Sequence, residues 1–430
     1  MTEKRSNSTQ PQKDNFYQTA GWFYPTLFGV AFFGAILAFS APLLFPLPQD
    51  DDRSIDTIRQ LIFFITGGIL AMFTLLETHL KNRSPQNKRS STQTRQARTE
   101  RRVRYITAIE QITDANHSIR MGGIYTLIGL VDEWLDDDNI DEETRTKEGQ
   151  VIINNLCSYI RSPFPLAEKI DEYEARKRLE ELKKKDSKSL SSEDSWWLDI
   201  LNERFPDSND DKKNKQIAAD YANIQEEQDV RRTIFVEMGK RSSTFTKNEK
   251  GEIIKTISGM WSDFDFDFSR APIFYPLNKL TIEQGNFASA RFYGEADFQD
   301  AVFTGDADFR DAEFTGDVYF LCTEFTGDAD FRNAEFTGTT KFEDTYFKKS
   351  APKFADDTGP TRFSSQRDQK DYVFSTDQDG KPIDRGIATL DGKSLEIPLG
   401  AVLFNTDSGR ISEPAKPRED SNTEEEKPAE

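Results

Sequence analysis

The chain has 430 residues, too long for one ordinary domain, and a formal charge of −19 with 36% hydrophobic content. Its two cysteines, Cys157 and Cys322, lie far apart without C-x-x-C spacing, which argues against a disulfide framework or a cysteine zinc site. Phenylalanine is over-represented at 34 residues, and the basic residues crowd into one stretch of an otherwise acidic chain.

Residues 1–20 form a polar tail. From 20 to 47 no side chain is charged, and Trp22 and Tyr24 stand at one edge, so a membrane-spanning helix is expected over 21–47. Ala38 and Ser40 keep a cleaved leader as the alternative. A short acidic loop over 48–59, with Asp50, Asp51 and Asp52, precedes a second apolar run that predicts a span over 60–80. The basic juxtamembrane segment, 81–96, begins with Lys81, Arg83, Lys88 and Arg89, which are expected to contact anionic lipid headgroups. The positive-inside bias then puts both termini on the cytoplasmic side of an inner or plasma membrane. Nucleic acid is the rival partner for this stretch, but no stacking aromatics interleave its cations.

Over 97–162 the spacing predicts three amphipathic helices. Ile106, Ile109 and Ile112 mark the first, Ile124, Leu127, Ile128, Val131 and Trp134 the second, and Ile152, Ile153, Leu156 and Ile160 the third. Asp114 and Ser118 are cap candidates for the second, and Gly122 and Gly123 suit close helix packing. Residues 163–213 read as a charged helical insertion and linker, with Trp196 and Trp197 either packed on the helical domain or exposed for a partner. A further helix over 214–242 leads to the repeats.

Within 260–347, Asp263, Asp265 and Asp267 alternate with Phe264, Phe266 and Phe268, a pattern that suits a capping strand or, less simply, a calcium site. Then a repeat begins. Phe287, Phe292, Phe298, Phe303, Phe309, Phe314, Phe320, Phe325, Phe331, Phe336, Phe342 and Phe347 alternate by five and six, a unit of eleven residues. A helix would place i and i+5 roughly 140° apart, and glycine at nearly every unit would cost it about 1 kcal/mol each. An extended chain instead points Ala296 and Phe298 inward and Asp297 outward, with glycine in the T-G-D corners (Gly305, Gly316, Gly327) supplying positive φ. Four short faces then close one coil in two units, giving fewer than three coils. The Asp306/Asp308 and Asp328/Asp330 pairs lack the nine-residue period of a calcium-binding solenoid. Residues 348–411 read as a small β-rich region, and 412–430 as a disordered acidic tail.

The strings ADFQDAVF, ADFRDAEF and ADFRNAEF resemble the pentapeptide-repeat family, departing from it by one extra residue in every second pentapeptide. The resemblance implies a right-handed quadrilateral β-helix. The stretch AIEQITDANHSIRMGGIYTLIGLVDEW is similar to the armadillo- or HEAT-like hairpins found between a membrane hairpin and the repeats in bacterial members. The expected fold class is therefore a membrane-anchored multidomain chain: two transmembrane helices, an α-helical hairpin domain, and a short β-helix.

No chemistry stands out. His79 and His117 have no second ligand at metal spacing, and no phosphate-cradling glycine motif occurs. The expectation is a membrane-tethered scaffold, without catalysis, cofactor or metal, presenting an acidic surface to a cytosolic or membrane protein. The alternative is a duplex-mimicking modulator of a nucleic-acid enzyme such as a topoisomerase, a role implied by the resemblance.

Overall fold

The computed structural model describes residues 96–185, 190–206, 211–247 and 253–418, together with Gly29, Phe32, Phe33, Ile36 and Ser40. The chain divides into two units, 1–100 and 101–430. In the first, the described residues are helical.

The expected pair of transmembrane helices is corrected: among the described residues no helix is long and apolar enough to cross a membrane. A span needs about 20 consecutive apolar residues, whereas even the 31-residue helix Asp211–Arg241 is studded with charge. The segments 21–47 and 60–80 otherwise lie outside the described residues, as do Lys81, Arg83, Lys88 and Arg89. The multi-pass localisation with cytoplasmic termini, which rested on those spans, falls with them.

The second unit begins with helices α1 (residues 101–112), α2 (His117–Leu135) and α3 (Glu142–Arg161). The cap of α2 is Asn116, whose side chain accepts from Ser118 N at 2.9 Å, while Asp114 accepts the Asn116 amide one step earlier. Asp141 caps α3 through Thr144 N, with Glu142 and Glu143 against the positive helix end. A 3₁₀ turn, Pro165–Lys169, leads into α4 (Ile170–Lys184) and α5 (Ser192–Arg204). Helix α6 (Asp211–Arg241) then runs back across the layer.

The repeat forms a β-solenoid. Val318 pairs in parallel with Ala296 on one side and Thr340 on the other, so the chain returns to the same face every 22 residues. Four faces close each coil. The first carries Ala307–Asp308 and Ala329–Asp330, and the second the strands Arg291–Phe292, Glu313–Phe314 and Glu335–Phe336. The third carries Ala296–Asp297, Val318–Tyr319 and Thr340–Lys341, and the fourth Val302–Phe303, Glu324–Phe325 and Tyr346–Phe347. Strict alternation puts each phenylalanine of the repeat inside, at 1% exposure or less.

The rings stack in columns one coil apart. Phe287, Phe309 and Phe331 lie 5.3 and 5.1 Å apart, Phe303, Phe325 and Phe347 4.8 and 5.0 Å. The columns outrun the repeat at both ends, through Phe268 below Phe287 and Phe354 above Phe331. The second face reaches six strands because Pro272–Ile273 precedes it and Arg362–Ser364 and Val402–Phe404 extend it. The 348–411 stretch thus adds rungs to the same coil and folds a hairpin, Arg385–Leu390 with Lys393–Pro398, just before the last of them. At the near end Phe235 of α6 lies 4.5 Å from Phe268.

The corners differ from the sequence expectation. Positive φ, between 53° and 60°, falls on Ser289, Asp300, Asp311, Cys322, Asn333 and Asp344, not on the T-G-D glycines. Ala312 N donates to Phe309 O at 3.1 Å, closing a turn whose third residue, Asp311, takes the left-handed conformation as in a type II turn. Asp308 Oδ1 accepts the Arg310 amide at 3.0 Å and buttresses the same corner. The glycines serve close approach instead: an added methyl at Gly327 would lie 2.5 Å from the Gly305 carbonyl carbon.

Candidate functional site

The two halves of the second unit share one hydrophobic core, running from Ala108 in α1 to Ala415 beyond the last strand. Where they meet, the alternating Asp-Phe segment, expected as a capping strand, begins as a turn at 261–263 and makes one bridge, Asp267 with Asn286, beside α3. Phe264, Phe266 and Phe268 are buried, and the Phe264 ring sits where Gly149 of α3 leaves room for it. On the outer side Asp267 forms an ion pair with Arg161, the last residue of α3. Asp265 N donates to Gln150 Oε1 at 2.9 Å. These aspartates fasten the coil to the helices, and among the described residues no His, Cys, Asp and Glu group could hold a metal ion.

Beneath the junction lies a buried arginine. Arg231 of α6 is 1% exposed and satisfies its guanidinium four ways: Glu227 Oε1 at 2.7 Å, Ile160 O at 2.7 Å, and Ser162 O and Oγ at 3.0 Å each. Tyr159 donates its hydroxyl to the other Glu227 oxygen at 3.1 Å. Burial, reinforced by the Glu227 charge, drives the Tyr159 phenol well above its ordinary value, so it stays protonated. A buried charge of this kind needs every partner it has. The network holds the end of α3 and the turn after it against α6.

Above this network opens a groove of about 380 Å³. Its helical wall is the α3–α4 connection, with Arg161, Phe164 and Glu168, and prolines at 163 and 165. Phe164 stacks on Phe274 of the coil at 5.0 Å, which fixes the wall. The solenoid wall is the first three rungs of the second face: Arg270, Ser289, Arg291, Tyr293 and Glu313. Arg291 is half-exposed, pairs with Glu313 at 2.9 Å and lies 5.3 Å over the Tyr293 ring. Arg270 and Ser289 occupy left-handed corners (φ 60° and 57°) of the column that higher up carries Asp311 and Asn333. The column therefore abandons its Asp/Asn habit at the first two rungs that line the groove.

The first two faces of the coil are acidic in sequence but largely paired in space, whereas the edge around Cys322 gathers Asp300, Glu343 and Asp344. Asp308, Arg310, Asp330, Arg332 and Asp356 alternate up one edge, with Arg310 to Asp308 at 2.6 Å and Arg332 bridging Asp330 and Asp356. Two hydrogen bonds from Thr358, then the Arg332 charge, push the Asp356 carboxyl down to about 2. Arg362 pairs with Glu335 at 3.2 Å and Lys349 with Asp328 at 2.8 Å.

Of the other sequence candidates, Cys157 is buried and its thiol is pushed up to about 12 by that burial, a poor nucleophile. Cys322 is exposed among carboxylates, and its thiol too is raised. His117 Nε2 is buried without a hydrogen-bond partner. His79 lies outside the described residues. Trp196 is 57% exposed, while Trp197 packs in a small cluster with Leu179, Leu182, Leu201 and Phe205 that belongs to α4 and α5 alone. Sequence reasoning missed the groove altogether. Its residues are scattered from 161 to 313, and the available hint was the pair Arg270 and Ser289 at corner positions.

A family model described as pentapeptide repeats (nine copies) matches residues 281–321. No curated protein and no solved structure matches the chain.

Proposed function

We propose that the chain is a non-catalytic scaffold, presenting a rigid β-solenoid and the helical layer fused to it to a protein partner. One observation carries this reading: a single core joins the helices to the coil, so the two surfaces stay in fixed register without a hinge. Solenoids of this repeat often serve as interaction scaffolds, and a rigid surface lowers the ordering cost of binding. Quantitative cross-linking of the intact chain in its own cell lysate tests it. A stoichiometric protein adduct, competed by excess free chain, is the expected result. Turnover of a small-molecule substrate by the purified chain, with no such adduct, would overturn the proposal.

The duplex-mimic alternative is weaker. A mimic needs unbroken rows of negative charge around the rod, yet Arg310, Arg332, Arg362 and Lys349 interrupt the acidic rows on two faces of this coil and the corner beside them.

A further inference from the structure

We infer that the groove between the α3–α4 connection and the first rungs of the coil captures one carboxylate side chain of the partner, together with an adjoining apolar residue. This deepens the scaffold reading and rests on it. Three arginines line the groove, but two are already engaged, Arg161 with Asp267 and Arg291 with Glu313. Arg270 is exposed, and among the described residues its guanidinium has no hydrogen bond or ion pair, while its backbone amide donates to Ala288 O at 2.9 Å. An unengaged guanidinium is a planar fork matched to a carboxylate.

The remaining lining sets the charge of the guest. Glu168 and Glu313 stand on the walls, so a second negative charge on the ligand would be repelled, and a monoanion fits better than a phosphate dianion. Phe164 and Tyr293, with the prolines at 163, 165 and 272, supply the apolar surface beside it. The volume of about 380 Å³ admits a side chain or two and not a folded element.

The probe is an acetylated, amidated proline–aspartate–phenylalanine tripeptide, titrated into the full-length chain and followed by ligand-observed NMR. Saturable binding is expected, with the asparagine counterpart weaker by about tenfold or more, since a charge-assisted hydrogen bond is lost. Arg270→Gln should weaken the aspartate peptide by a similar factor and leave the asparagine peptide unchanged. Arg310→Gln, in a turn higher up the column and outside the groove lining, should change neither. A phosphoserine counterpart that binds more tightly than aspartate would overturn the monoanion assignment. Binding indifferent to Arg270→Gln, or no saturable binding at all, would overturn the site. A lysate adduct that persists while the tripeptide fails to bind would leave the scaffold standing and remove the groove from it.

Discussion

At the scale of single residues, the coil makes two different demands on its corners. The column through Gly305 and Gly327 brings one backbone against the next, and a methyl at Gly327 would meet atoms that cannot swing away. Gly327→Ala should therefore cost about 1–3 kcal/mol by overpacking, seen as a lowered denaturation midpoint. The neighbouring corner tolerates side chains but holds them at positive φ, and Cys322, at 53°, has neither the local hydrogen bonding of Asp nor the freedom of Gly. Cys322→Gly should stabilise by about 1 kcal/mol. If the first substitution proved neutral and the second harmful, the division of labour between the two columns would be reversed.

Among the elements, the α4–α5 hairpin is held least. Ile170 and Tyr173 at its base join the main core, but Leu179, Leu182, Leu201 and Phe205 make a separate cluster. Its acidic side meets acid on the coil. Burial, then Asp171 and Glu295, raises the Glu174 carboxyl above its ordinary value, and burial, then Asp297 and Asp317, does the same for Glu295. Asp171 is also raised, by burial first, with Arg204 opposing and Asp317 adding to it; Lys177 faces Glu174 as a partial counter-charge. Carboxyls raised in the folded state bind more protons there than in the unfolded chain. Their contribution to stability therefore falls as pH rises through and above the carboxylate range, and it is recovered on acidification. The hairpin should open at lower denaturant near pH 7 than near pH 5, read from the fluorescence of Trp196 and Trp197. Glu295→Gln should shrink that difference, whereas an opening midpoint independent of pH would refute the electrostatic account.

For the whole molecule, the joint at Arg231 matters most, since α3, its following turn and α6 converge on one guanidinium. Arg231→Leu takes from the buried Glu227 its closest cation, leaving it the Tyr159 hydroxyl and Arg120 at 3.8 Å, and should cost about 3–5 kcal/mol. Because helices and coil share a core, that loss should appear as an earlier single main transition in urea, not as the release of one half. Arg231→Leu combined with Glu227→Gln should recover part of the loss, as expected when a stranded charge is what hurts. Two separate main transitions in the parent chain would show that the shared core does not couple the halves.

The period of five and six by itself determined the coil, its inward phenylalanines and the 22-residue return, because a local alternation repeated often enough leaves one way to bury its apolar side. Helical spacing over 101–161 was legible in the same way, although Ile106, read as marking the apolar face of the first helix, is 51% exposed. Reading 21–47 and 60–80 as spans rested on hydropathy and edge aromatics, and no described helix is long and apolar enough to bear it out. Tertiary structure alone decided which corner takes positive φ, how far rungs such as Val402–Phe404 extend the ladder, and where the groove lies. Those features depend on contacts between residues tens of positions apart, as between Arg161 and Asp267. A side chain's partner across such a distance is set by packing, and no local pattern encodes it.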